Sequence, residues 1–209
     1  SVEASLTSPA VRVAGVKAFL GRLFLKLWRW TPVGTKPARG SVIVCAPHTS
    51  NLDYLLMIFT AWTQNMNLSF LGKAQLFKPP LGWLMRATGG IPVDRNAANG
   101  LVGQMTEAFT ATPDLMLAIP AEGTRSKAEY WKSGFYRIAQ SAEVPICLAF
   151  IDKSKREVGF GLVFEPSGDI AADMERVRVF YDGKIGLKHH NFGPVRLREE
   201  TPDEGAAAG

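Results

Sequence analysis

The sequence predicts an α/β fold: a central mixed, mostly parallel sheet flanked by helices, with an amphipathic helix at the N-terminus. Three observations carry that prediction. Short apolar runs alternate with stretches of helical periodicity at the spacing of βαβ units. Their junctions hold turn and cap residues, as in Pro47-His48-Thr49-Ser50-Asn51, where Thr49, Ser50 and Asn51 are all good helix N-caps. A hydrophobic share of 46% and a charged share of 21% over 209 residues suit one domain with a full core. No internal repeat interrupts the pattern.

Taken in order, the first element is a helix over 16–30. On a helical wheel Arg22, Lys26 and Arg29 cluster in a narrow arc, and Val16, Phe19, Leu20, Leu23, Leu27 and Trp30 fill the broad opposite side. Leucines and tryptophans beside a basic arc suit an anionic membrane surface, and the competing reading packs the apolar side on the core. Thr31–Pro37 breaks this helix, so residues 1–38 read as helix and linker, 39–198 as the main domain, and 199–209 as a disordered tail. The main domain opens with a buried strand at Ser41–Cys45 and a helix from Asn51 to about Gln64. A strand at Leu68–Leu71, a proline-interrupted helical stretch over Lys73–Arg86 and a strand over Gly89–Arg95 follow. A helix to Ala111, the strand Leu115–Ile119 and a helix over Gly134–Ala142 come next. Strands at Ile146–Ile151 and Gly159–Phe164 and a helix over Ile170–Tyr181 complete the domain.

Composition narrows the function classes. A net charge of +5 and a pI near 9.3 favour an anionic partner. Cys45 and Cys147 are the only cysteines, and both lie in apolar runs. That fits a reduced, cytoplasmic setting without disulfides or a thiolate metal site. No metal is expected, because the other histidines, His189 and His190, sit in a distant Lys-His-His-Asn segment without ligand spacing. Nucleic-acid binding has only the pI and the run Lys153-Ser154-Lys155-Arg156 behind it, and that run reads as a solvated turn. The sequence contains no signal-peptide cleavage pattern and no apolar run long enough to span a bilayer.

Two stretches carry candidate chemistry. His48 and Asp53 flank a strand-to-helix turn, and in one continuous helix their side chains would diverge by about 140°. With His48 on the turn and Asp53 in the first helical turn they can meet. Asp53 then accepts from one ring nitrogen and leaves the other as a base. The alternative is that Ser50 and Asp53 form a capping box and His48 is a loop histidine. The second stretch, Glu122-Gly123-Thr124-Arg125-Ser126-Lys127, follows a buried strand and has the composition of a phosphate site: a glycine, hydroxyls and basic side chains. Its spacing is not that of a P-loop. Asp94-Arg95, taken alone, is a surface ion pair of little worth.

Together these stretches resemble the glycerolipid acyltransferase family that includes the lysophosphatidate acyltransferases. His48-x-x-x-x-Asp53 is similar to its catalytic motif, and Gly90-Ile91-Pro92-Val93-Asp94-Arg95 to its second block. Glu122-Gly123-Thr124-Arg125-Ser126 resembles the third block and Val144-Pro145-Ile146 the fourth, so the likeness runs from about Gly40 to Ile151. Two departures stand out: Ala121 separates Pro120 from Glu122 where the family has proline directly before the block, and no transmembrane hairpin precedes the domain.

The resemblance implies transfer of a fatty acyl group from acyl-CoA or acyl carrier protein to a hydroxyl of a lysophospholipid-like acceptor, without a cofactor. His48 would be the general base, oriented by Asp53, and no acyl-enzyme would form. The absence of a G-x-S-x-G elbow and the apolar setting of both cysteines agree with that. Arg95, Glu122, Gly123, Thr124 and Arg125 would bind the acceptor, with specificity set in Gly123–Phe135. Leu55, Met57, Phe59, Trp83, Leu84 and Met85 are candidates for an acyl groove. The expected location is the inner face of the membrane, bound peripherally through the N-terminal helix. A non-catalytic lipid-binding module and a thioesterase on the same scaffold are the alternatives.

Overall fold

The computed structural model describes residues 9–47, 50–80, 82–93, 100–123 and 127–200. Seven strands form one sheet: β1 (Thr31–Val33), β2 (Ser41–Ala46), β3 (Leu68–Lys73), β4 (Gly90–Val93), β5 (Met116–Pro120), β6 (Ile146–Asp152) and β7 (Glu157–Phe164). Their spatial order is β1-β7-β6-β2-β5-β3-β4. All neighbours run parallel except β6 and β7, which form an antiparallel hairpin through the turn at Lys153–Arg156. The predicted fold class is the observed one.

Helices α1 (Pro9–Leu27) and α2 (Asn51–Thr63) cover one face, and α4 (Gly100–Ala111), α5 (Gly134–Ser141) and α6 (Ile170–Tyr181) the other. The short α3 (Gly82–Ala87) follows a 3-10 turn at Ala74–Phe77, so the proline-interrupted stretch is two pieces rather than one helix. Strand β2 shows why the sheet holds two cores. Its residues alternate, Val42, Val44 and Ala46 entering the cluster with Phe109, Phe135 and Met174, while Ile43 enters the cluster with Leu25, Leu56 and Phe160. A continuous apolar run is what a central strand covered on both faces requires.

The N-terminal segment is built into this sheet. Trp30, expected on the apolar face of the helix, lies beyond its end and is buried, and Thr31–Val33, expected in a linker, pairs with Glu157–Gly159 of β7. The boundary drawn at residue 38 therefore falls between two strands of one sheet. Glu199 and Glu200, drawn within the tail, belong to the final 3-10 turn Arg198–Glu200. Residues 201–209 lie outside the described residues.

Packing of α1 inverts the usual amphipathic arrangement. Ala18, Gly21 and Leu25 face α2, and a Cβ on Gly21 would come within 2.5 Å of the Phe59 carbonyl oxygen. Phe24 stacks on Phe59 at 4.0 Å between ring centroids. Val16, Phe19, Leu20, Leu23 and Leu27 are exposed, at 42–71%. At about 100° per residue their arc lies opposite the packed one. Among the described residues no helix is long and apolar enough to cross a membrane.

Candidate active site

The site lies at the C-terminal edge of the parallel strands, where open α/β sheets place their ligands. Strand β2 ends at Ala46, and α2 starts five residues later at Asn51. Ser50 is the N-cap of α2 and forms a full capping box with Asp53. The Ser50 amide donates to Asp53 Oδ2 at 2.6 Å, and the Ser50 hydroxyl donates to Oδ1 at 3.0 Å. In return the Asp53 amide donates to Ser50 Oγ at 3.4 Å. Asp53 is only 2% exposed. A carboxylate at the first turn also meets the positive end of the helix dipole.

The neighbouring strand delivers the second carboxylate. Cys45 pairs with Pro120, so Pro47 and Glu122, each two residues further on, leave the sheet side by side. Glu122 is buried, and Gly123 takes a φ of +65° that a side chain would resist. A Cβ on Gly123 would also meet Lys132 Cγ at 2.9 Å, so the aliphatic stem of Lys132 lies against this turn. Beside it opens a pocket of about 360 Å³ lined by Glu122, Gly123, Glu129, Tyr130, Lys132 and Arg198.

Of the predicted site residues, Asp53, Glu122 and Gly123 reach this edge. His48, Arg95, Thr124 and Arg125 lie outside the described residues. The capping box realises the alternative reading of Ser50 and Asp53, and it leaves room for the other. A carboxylate offers about four lone-pair sites, so a capping box is compatible with a further partner. Tyr130 and Lys132, expected in a specificity segment, do line the pocket. Arg198 was not foreseen, because nothing in its local sequence signals that the chain returns to this turn.

The cysteines sit nearby without nucleophilic character. Burial foremost, then the charges at Cys147 and Glu122, pushes the Cys45 thiol up to about 12. Burial pushes Cys147 to about 12 as well. A thiol so perturbed is protonated at neutral pH. Tyr181, buried across the sheet, brackets β2 and β6, its hydroxyl 3.1 Å from the Val44 carbonyl and 2.9 Å from that of Ala149. Among the described residues no group of histidines, cysteines and carboxylates is placed to hold a metal. The acyl-groove candidates divide: Leu55, Trp83 and Leu84 are exposed, whereas Met57 belongs to the core.

The class is that of a layered α/β domain, with two buried carboxylates, Asp53 on α2 and Glu122 after β5, at the C-terminal edge of its parallel strands. A family model described as Acyltransferase matches residues 33–151, more than half of the chain, and the chain belongs to that family of acyltransferase enzymes. Its fold is similar to the crystal structure of the 1-acyl-sn-glycerophosphate (LPA) acyltransferase, PlsC, from Thermotoga maritima. The TM-score is 0.54 at 18% identity, over 80% of this chain and 77% of that one. No curated protein matches the chain.

Proposed function

We propose that this acyltransferase moves a fatty acyl group from an acyl thioester, acyl-CoA or acyl carrier protein, to a hydroxyl of a lysophospholipid-like acceptor. The observation that carries the reading is the buried, capped Asp53 at the start of α2, five residues after His48. His48 takes the proton from the acceptor hydroxyl as its oxygen attacks the thioester carbonyl carbon, and Asp53 orients the ring and stabilises its cationic form. Collapse of the tetrahedral intermediate breaks the C–S bond, and the proton held by His48 passes to the leaving thiolate. The step is direct. High thiol pKa values at Cys45 and Cys147 support the absence of an acyl-cysteine.

Arg95, Glu122, Gly123, Thr124 and Arg125 hold the acceptor in this reading. The exposed arc of α1, flanked by Arg22 and Lys26, lies on an anionic membrane at its cytoplasmic face. What supports that reading is the direction of packing: Ala18, Gly21 and Leu25 face inward, whereas Val16, Phe19, Leu20, Leu23 and Leu27 face solvent.

The test is thiol release from palmitoyl-CoA with a panel of lysolipids, comparing the wild type with His48→Ala. Acceptor-dependent release that disappears in His48→Ala is the expected result. Release that needs no acceptor would replace transfer by thioester hydrolysis.

A further inference from the structure

The segment between β3 and β4 packs on the same face of the sheet as α1 and α2. Leu68, Phe70 and Gly72 of β3 share that face, because alternate residues of a strand point the same way. Leu68 packs with the cluster of Leu25 and Leu56, and Phe70 meets Tyr54 of α2 edge-on at 5.7 Å between centroids. Phe77 is buried in the notch that two glycines leave: a Cβ on Gly72 or on Gly90 would come within 2.9 Å of its ring. Arg86 braces the unit, donating to the Phe77 carbonyl at 3.2 Å and lying over the Phe77 ring. What remains of the segment turns outward. Leu76, Trp83 and Leu84 are exposed, Trp83 at 72%, beside exposed Lys78, Pro79 and Pro80.

Charge says what covers this patch. Between Ala4 and Val93 the sequence holds a single carboxylate, Asp53, and that one is buried. The layer of α1, α2 and α3 thus exposes large apolar side chains on all three helices and no acid among the described residues. On the opposite face, α4, α5 and α6 expose only Leu101 and Val179 as large apolar side chains and carry Glu107 and Glu175 at their surface. An acidic protein would satisfy the lysines alone. An anionic lipid interface takes lysines at head-group level and an indole and leucines below it. The patch also stands at the site's edge of the sheet, because β3 ends at Lys73 beside β5, whose end delivers Glu122. We propose that residues 74–86 form a second membrane contact, with Leu76, Trp83 and Leu84 inserted in the interface of an anionic bilayer and Lys78 among its head groups. This contact is separate from that of α1 and does not depend on the acyltransfer reading. A second point of contact removes the freedom to pivot about α1 and holds the site's edge of the sheet at the lipid surface.

Flotation of the full chain with vesicles of phosphatidylcholine and phosphatidylglycerol tests this, with vesicles of phosphatidylcholine alone for comparison. Trp83→Ala together with Leu84→Ala should weaken binding on the order of 10- to 100-fold, whereas Trp83→Phe, which keeps an aromatic ring, should stay near the wild type. Lys78→Gln should lower binding about fivefold on the anionic vesicles and leave it unchanged on the neutral ones. These side chains are exposed, so the Tm of each variant should match the wild type. Lipids brominated near the top of the acyl chain should quench the tryptophan fluorescence of the wild type more than that of Trp83→Phe. His48→Ala should float like the wild type, so a failure of acyl transfer and a failure of this contact are read apart. Unchanged flotation of the double alanine variant, or equal quenching, overturns the contact. A double variant that floats normally but loses self-association in sedimentation makes the patch a face between two copies. One that floats normally and raises KM for palmitoyl-CoA makes it an acyl groove. Either result overturns the proposal, as does a loss of flotation confined to Phe19→Glu with Leu23→Glu, which leaves α1 as the sole contact.

Discussion

Asp53 carries two duties in one carboxylate: it closes the capping box with Ser50 and, in the proposed mechanism, it orients His48. The duties separate by substitution. Ser50→Ala removes the side-chain cap and should cost about 1 kcal/mol of stability, read as a lower Tm. Asp53→Asn retains an oxygen for the cap but loses the charge, so initial rates should fall on the order of 10²- to 10⁴-fold while the Tm moves little. Wild-type rates in Asp53→Asn would take Asp53 out of the mechanism. At the same scale, a thiol raised to about 12 reacts slowly with alkylating agents. Folded protein treated with iodoacetamide at neutral pH should stay unmodified at Cys45 and fully active, and Cys45→Ala should keep its rate within about twofold. Loss of activity in Cys45→Ala would reopen the covalent route.

Among the elements, α1 joins the fold to the proposed membrane contact. Its close approach to α2 depends on Gly21, where an added Cβ would meet backbone at 2.5 Å. Gly21→Val must push the helices apart and should destabilise by about 1–3 kcal/mol in denaturant melts. The outward arc behaves differently. Phe19→Glu together with Leu23→Glu touches no buried contact, since the two positions are 62% and 42% exposed. The double variant should keep its Tm and lose flotation with anionic liposomes, because burial of the two side chains in lipid contributes about 1.5–3 kcal/mol each. Equal flotation would exclude the arc as the membrane contact. Deleting residues 1–38 is a poorer test, because it also removes β1, Leu25 and Trp30 from the core.

In the whole molecule, the C-terminal segment closes one side of the site through ion pairs, hydrogen bonds and the bridge between Trp131 and Leu197. Glu199 provides a handle on that closure. A hydrogen bond from Ser133 foremost, and the charge of Arg137, hold its carboxyl below the ordinary 4.5. A depressed acid binds its proton less readily in the folded state. Its stabilisation is therefore complete above the unfolded value and is lost as pH falls through the lower folded one. The Tm of the wild type should drop more than that of Glu199→Gln between about pH 5 and pH 3, modestly, because the group is 34% exposed. Parallel curves would show that the segment is held without this pair.

Sequence alone determined the alternation of strands and helices, because each element's burial period is local. Ser41–Cys45 reads as a buried strand, and Ser50 and Asp53 can be read as a cap, from neighbours within a few residues. The spacing of the motif blocks likewise identified the family that the match over 33–151 establishes. Thr31–Val33 was not legible as a strand, since three residues with a central proline become one only by pairing with β7 at the sheet edge. Nor was the facing of α1, where hydrophobicity marks an apolar arc without saying whether it packs on the core; Gly21 and Ala18, by fitting against α2, leave that arc exposed. Arg198 meets Glu122 and Lys132 around one pocket because Leu197 is buried beside Trp131. That is a contact across more than sixty residues, set by packing rather than by any pattern in the chain.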